Sequence, residues 1–87
     1  MADQDLRESL ALDQLAIGTR GEIVRVDWEA LGTSDARRLR NFGFAEGVSI
    51  MCLHDGPFGR DPVAYRVGRM TVAIRRAHAA MVQVRPA

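Results

Sequence analysis

Few side chains in this chain are equipped for chemistry. There is one cysteine, Cys52, and two histidines, His54 and His78, among 87 residues. Cys52 and His54 stand two apart, a spacing that places both on one face of a strand. Together with Asp55 and His78 they are the set from which a metal site can be drawn, with Cys52 and His54 as its weak candidates. The neighbouring pattern argues otherwise. Val48, Ile50 and Cys52 alternate with Ser49 and Met51, which makes Cys52 a small core residue. His78 sits among alanines and reads as a surface residue. A Cys–His nucleophile needs a third group to orient the base, and none is evident. No glycine-rich run leads into Lys-Ser or Lys-Thr, so there is no phosphate loop. Catalysis requires convergent ionisable groups, and the expectation is a protein with no catalytic residues, no cofactor and no resident metal.

The remaining chemistry is cationic. All twelve basic residues are arginine, and the net charge of +1 hides an asymmetry. Residues 1–35 carry eight acids against three arginines, a net −5, and residues 36–87 carry three acids against nine arginines, a net +6. An all-arginine set follows from a GC-rich code, but guanidinium groups also suit carboxylate and phosphate partners. Arg37, Arg38 and Arg40 with Asn41 form the densest run, and helical periodicity turns them outward. Phe58, between Pro57 and Gly59, is expected exposed at a loop tip as a small anchor. A small barrel with such a surface can also bind nucleic acid, which requires aromatics interleaved with arginine. Here Trp28, Phe42, Phe44, Phe58 and Tyr65 are scattered, and the sequence pI of about 8.0 is low for that role. No nucleic-acid partner is expected.

These arginines need a helix, and the stretch Ser34–Gly47 supplies one, over about residues 34–42. Ser34 or Thr33 is expected to cap its start, with Asp35 in the first turn. Gly43 is expected to end it in the left-handed conformation, with Phe44 folded back on Leu39 in a Schellman cap. Leu39 and Phe44 then hold the helix down, and Gly43 and Gly47 are its exits. About two turns are too short to be stable alone, so the helix must dock on something.

The rest reads as strands. Leu10 and Leu12 have strand spacing, and Asp13 is placed to cap a single turn. Ile23–Trp28 forms a strand, with Val24, Val26 and Trp28 on one face and Ile23, Arg25 and Asp27 on the other. Glu29–Thr33 is a loop. Val48–His54 has two largely apolar faces, as a central strand does. Asp55–Asp61 is a loop rich in glycine and proline, and Pro62 opens the next strand. Val63–Val67 and Met70–Ile74 are joined by Gly68-Arg69 in a type II′ turn. Arg76–Ala80 allows one helical turn, and Met81–Arg85 is a last strand with Val82 and Val84 inward. The expected fold is mainly β: a small antiparallel barrel of five to six short strands with one short helix inserted between strands.

Eighty-seven residues make one domain, with residues 1–8 flexible and 9–87 folded. One cysteine excludes an internal disulfide. No apolar run approaches the ~20 residues of a membrane span, and the start lacks a secretory signal. A cytoplasmic protein that does not insert into a membrane is expected, with homo-oligomerisation open.

In their order and spacing the motifs resemble the FeoA family of ferrous iron transport. The residues that carry the resemblance are Leu12-Asp13-Gln14-Leu15 followed by Gly18 and Gly21, and Arg38-Leu39 through Gly43 to Gly47. They continue with Gly56-Pro57-Phe58-Gly59 and Asp61-Pro62, Tyr65-Arg66-Val67-Gly68, and Ala73-Ile74-Arg75 followed by Ala77, Ala80, Val82 and Val84. Together they cover residues 10–85. The resemblance implies an SH3-like barrel, similar to the C-terminal domain of DtxR-type repressors but standing alone. It gives Asp61, Pro62 and Gly68 structural roles. It also implies an accessory or regulatory role as an interaction module for the membrane GTPase FeoB, the ferrous iron permease. The alternatives are a nucleic-acid-binding barrel and a direct metal sensor or metallochaperone. Phe42 and Phe44 stand where the family has smaller aliphatics, and Arg60 separates Gly59 from Asp61.

Overall fold

The computed structural model describes residues 8–87, with the backbone alone at Pro57 and Phe58. All but the last residue of the segment expected to be flexible, 1–8, lies outside the described residues. Six strands form one antiparallel sheet: β1 (Leu10–Ala11), β2 (Arg20–Val26), β3 (Ser49–Phe58), β4 (Asp61–Val67), β5 (Met70–Ile74) and β6 (Val82–Pro86). Their order across the sheet is β1-β6-β2-β3-β4-β5. A 3-10 turn, Leu12–Gln14, follows β1. Two helices, α1 (Trp28–Leu31) and α2 (Thr33–Asn41), lie between β2 and β3, and α3 (Arg76–Ala79) joins β5 to β6.

The core is mostly aliphatic, with Tyr65 and Phe44 as its buried aromatics. Leu12, Ile23, Leu39, Ile50, Tyr65, Ile74, Val82 and Val84 are all at most 1% exposed. Removal of this much apolar surface from water is the main force holding so short a chain together. Tyr65 is the largest of the fully buried side chains, and its hydroxyl donates to the Leu12 carbonyl at 3.3 Å. Burial pushes the Tyr65 phenol far up, with negative neighbours adding to the effect.

Strand alternation is broken in two places where the sequence reads as continuous. On β2, Ile23 faces Val84 and Arg25 faces Gln83, so Val24 is an extra residue. Ile23 and Val26 are therefore both buried, which corrects the expected grouping of Val24 with Val26. On β3, Cys52 faces Tyr65 and His54 faces Ala64, so Leu53 is the extra residue. A bulge shifts every later side chain to the other face.

The segment Asp55–Asp61 is not a loop. β3 runs through it, and Phe58 faces Asp61 across the two-residue turn Gly59-Arg60. Both turn residues have positive φ, +63° and +65°, as a type I′ hairpin demands. A side chain at Gly56 would stand 2.5 Å from the Pro62 carbonyl oxygen, so glycine lets the two strands approach. Pro62 is the second residue of β4 rather than the first, and the Asp61–Pro62 peptide is cis. Gly68, φ +59°, takes the first position of the β4–β5 turn, and Val67 faces Met70 across it. That matches a type II′ geometry.

The stretch expected as the loop Glu29–Thr33 is mostly helical. The Asp27 carboxylate accepts the Ala30 N–H at 3.1 Å and caps α1. Gly32, φ +82°, then breaks the helix and stands at the N-cap of α2. Neither Thr33 nor Ser34 supplies a cap, because Thr33 is already the first helical residue and no side chain bonds there. Asp13 lies inside the 3-10 turn instead of capping it.

Arg76 ties three elements together. Its Nη1 donates to the Asp13 carbonyl at 3.0 Å and its Nε to the Arg60 carbonyl at 3.1 Å, while its backbone N–H donates to Asp61 Oδ1 at 3.0 Å. The start of α3, the β3–β4 turn and the 3-10 turn are joined by one side chain and one carboxylate.

Candidate functional site

α2 ends in a full Schellman cap. The Phe44 N–H donates to the Leu39 carbonyl at 3.0 Å and the Gly43 N–H to the Arg40 carbonyl at 2.9 Å, with Gly43 at φ +92°. Leu39 is fully buried and Phe44 is 2% exposed. Gly47, φ +88°, donates its N–H to the Ile23 carbonyl at 2.7 Å. At the other end, Asp35 Oδ2 lies 3.2 Å from His78 Nε2, linking α2 to α3. His78, expected at the surface, is thus half-buried against the helix.

Fixed in this way, α2 turns one stripe toward α1. Thr33, Ala36, Arg37, Arg40 and Asn41 follow the i, i+3, i+4 spacing of a single helix face. With Trp28, Glu29 and Gly32 they line an open groove of about 540 Å³. Ala36 is small and buried, so the middle of the stripe is low. Trp28 is half-buried and packs against the core. The Arg40 guanidinium stands 4.3 Å from its ring centroid, inside the range of a cation–π contact. Among the described residues, no carboxylate lies within ion-pair distance of Arg37 or Arg40.

The arginines expected to act together are therefore divided. Arg37, Arg40 and Asn41 share the groove. Arg38 turns the other way: its guanidinium lies 5.5 Å from the Phe42 ring centroid, and its Nη2 donates to the Ala73 carbonyl at 3.4 Å. The side chain of Phe58 lies outside the described residues. Trp28, Glu29 and Thr33 belong to the groove but were not among the candidates. Asp27 before a Glu and ahead of Gly32 is a helix signal of its own, and it would have placed Trp28 beside α2.

A second groove, of about 670 Å³, lies near the 3-10 turn and the β3–β4 hairpin and includes Leu15, Ile17, Cys52, Asp55, Arg60 and Arg76. Its charges are paired internally, Arg60 with Asp55 at 2.8 Å and Arg76 with Asp13 at 3.8 Å. The Arg60 hydrogen bond holds the Asp55 carboxyl below its usual range. Burial, with the Asp55 charge adding to it, pushes the Cys52 thiol up. A protonated, buried thiol is a poor metal ligand. The Leu53 bulge also separates Cys52 from His54: one is buried and the other exposed. Among the described residues, no three His, Cys, Asp or Glu side chains gather as a metal-holding group.

Comparison with known proteins agrees with this architecture. A family model described as the FeoA domain matches residues 10–86. A curated relative, the Fe(2+) transport protein A/Fe(2+) transporter FeoB fusion protein of Porphyromonas gingivalis, is 33% identical over 75 residues. That alignment covers 86% of this chain but only 8% of the relative's length. The structure of Stenotrophomonas maltophilia FeoA complexed with zinc, described as a prokaryotic SH3 domain protein, is 33% identical with a TM-score of 0.69. That match covers 84% of this chain and 86% of the other. The solution structure of FeoA from Chlorobium tepidum is 27% identical with a TM-score of 0.74, covering 88% of this chain and 70% of the other. The six-stranded antiparallel sheet is the SH3-like fold that the sequence motifs implied. The match along nearly the whole folded region settles the classification: the chain belongs to the FeoA family of ferrous iron transport.

Proposed function

We propose that this chain is a cytoplasmic accessory protein of ferrous iron uptake that binds a FeoB-type membrane GTPase through the α1–α2 groove. The observation that carries this reading is the fused relative, in which a segment like this chain and a FeoB transporter share one polypeptide. Joining two domains raises their effective concentration toward one another, an arrangement useful to domains that work in contact. Among the described residues no helix is long and apolar enough to cross a membrane. On this reading the protein acts on the transporter from its surface, by binding and not by catalysis. The groove supports that role, since its tryptophan and arginines are residue types that dominate interface energetics.

The test is recovery of the tagged chain with its own organism's FeoB-type transporter from gently solubilised membranes, with and without guanine nucleotide. Co-purification, together with reduced ferrous uptake when the chain is deleted, is the expected result. Absence of co-purification from intact complexes, with normal uptake on deletion, would refute it.

A further inference from the structure

We infer that the occupant of the α1–α2 groove is an acidic segment of the partner protein, with its carboxylates held by Arg37 and Arg40 and an apolar side chain set against Trp28. This rests on the reading of the chain as a transporter-binding module and names the chemistry of that contact. Four observations carry it.

Arg37 and Arg40 have no carboxylate within ion-pair distance among the described residues, unlike Arg60 and Arg76 around the second groove. They stand three apart on α2, which brings side chains to neighbouring positions on a helix surface. Two adjacent guanidinium forks match two carboxylates, each able to form paired hydrogen bonds. Trp28 packs against the core, and the Arg40 guanidinium stands 4.3 Å from its ring centroid. A site whose anchors are already ordered spends less entropy on binding.

The low centre of the stripe comes from Ala36, flanked by Thr33 and the indole. An apolar side chain entering there buries itself against Trp28. Glu29, finally, lines the same groove. A fixed negative charge beside the arginines opposes a continuous polyanion and favours a ligand whose acids are confined to one end. Nucleic acid needs a basic track along successive phosphates, and Arg38 is turned away to the opposite side of α2. An acidic peptide segment therefore fits the groove better than a nucleic-acid strand.

Trp28 is the single tryptophan of the chain, so its emission reports directly on the groove. The 87-residue chain is titrated with synthetic peptides spanning the acidic cytoplasmic segments of the transporter. Each peptide is paired with a counterpart in which Asp and Glu are replaced by Asn and Gln. Anisotropy of labelled peptide is read in parallel, and a single-stranded oligonucleotide is the rival ligand. Expected is a saturable change in Trp28 emission with at least one acidic peptide, weakening as salt rises. Binding is expected to be about tenfold weaker, or more, for its amide counterpart and for the Arg37→Gln/Arg40→Gln variant. Arg38→Gln is expected to bind as the parent does. All three substitutions fall on exposed side chains, and thermal unfolding checks that the variants remain folded.

Equal binding of acidic and amide peptides, undiminished binding by the double variant, or no binding by any peptide overturns the proposal. Tighter binding of the oligonucleotide overturns it in favour of nucleic acid. A Trp28 signal that changes with protein concentration alone, with dimers in sedimentation, makes the occupant a second copy. Membrane co-purification separates the two readings. If the double variant still co-purifies, this contact is wrong and the transporter reading stands. If the parent chain does not co-purify yet binds an acidic peptide, the groove chemistry stands and the transporter reading fails.

Discussion

Replacement of Leu39 by alanine tests whether α2 is held by the barrel. The side chain is fully buried on the inner face of a nine-residue helix, and a helix of that length has little stability of its own. Leu39→Ala removes three carbons, worth about 0.8 kcal/mol each in transfer from water, or roughly 2.4 kcal/mol. The cavity left behind adds to this, and buried Leu→Ala changes cost about 2–5 kcal/mol in all. A domain of 87 residues has a total stability of roughly 4–13 kcal/mol at typical values per residue. The change therefore removes a large share of it. At about 4–8 °C per kcal/mol for a domain this size, a loss of ~3 kcal/mol lowers Tm by roughly 12–24 °C. Urea unfolding followed by circular dichroism measures the loss directly. A loss below about 1 kcal/mol with an unchanged m-value would show that Leu39 does not anchor α2, and the account of how the groove is positioned would fall with it.

The glycines give an ordered pair of outcomes. Gly56→Ala drives a methyl to 2.5 Å from the Pro62 carbonyl oxygen and 2.8 Å from the Asp61 carbonyl carbon, both backbone atoms that cannot swing aside; a loss of about 3 kcal/mol is expected in thermal unfolding. Gly43→Ala meets no such crowding, its nearest neighbour being Val67 Cγ1 at 4.0 Å, so only the backbone cost at φ +92° remains, roughly 1–2 kcal/mol. Gly43→Ala proving the more damaging of the two contradicts this reading. The buried thiol and phenol predict an alkaline limit. Cys52 and Tyr65 ionise less readily in the fold than in the unfolded chain. Their contribution is therefore intact below the unfolded thiol value and is lost as pH rises above it, from about pH 8.5 and further from about pH 10. Tm measured from pH 7 to pH 10.5 is expected to fall, with Cys52→Ala showing a shallower decline in the first part of that range. An unchanged slope in that variant assigns the decline to other groups.

How far the sequence disclosed the fold depended on whether the relevant physics was local. The end of α2 was legible because Gly43, Phe44 and Leu39 obey a rule of adjacent residues, and the Gly68-Arg69 turn was legible for the same reason. The bulges at Val24 and Leu53 were not. Their cause lies on the partner strand, where two residues must face one, and nothing in an apolar alternation reports that. The β3–β4 hairpin was hidden by its own composition: Gly56, Pro57 and Gly59 look like loop residues, yet Gly56 serves a close strand approach and Gly59-Arg60 is the turn. Three of the eight residues lining the groove were legible. Periodicity placed Arg37, Arg40 and Asn41 on the surface of α2. It did not separate Arg38 from them, since that division depends on where Phe42 and the β5 backbone lie. Trp28 was lost because it read as the last residue of the strand Ile23–Trp28 and residues 29–33 as loop, whereas it opens α1; the Asp27 cap was visible in the sequence.

The place of β6 in the sheet bears on how the protein is made. β6 lies between β1 and β2, and its register joins Leu10 to Val84 and Ile23 to Val84. The first two strands are joined only through β6, so β1 has no ladder partner until residues 82–86 arrive. On a ribosome the sheet stays open until that segment leaves the exit tunnel, and β2 meanwhile offers an unpaired edge to whatever is near. Contacts of such long sequence separation are also the slow ones to form, because the loop entropy must be overcome before the ladder is gained. In a polypeptide that continues beyond this domain, the following segment would emerge directly from the middle of the sheet and not from its margin. A partner fused there sits at the strand that completes the fold.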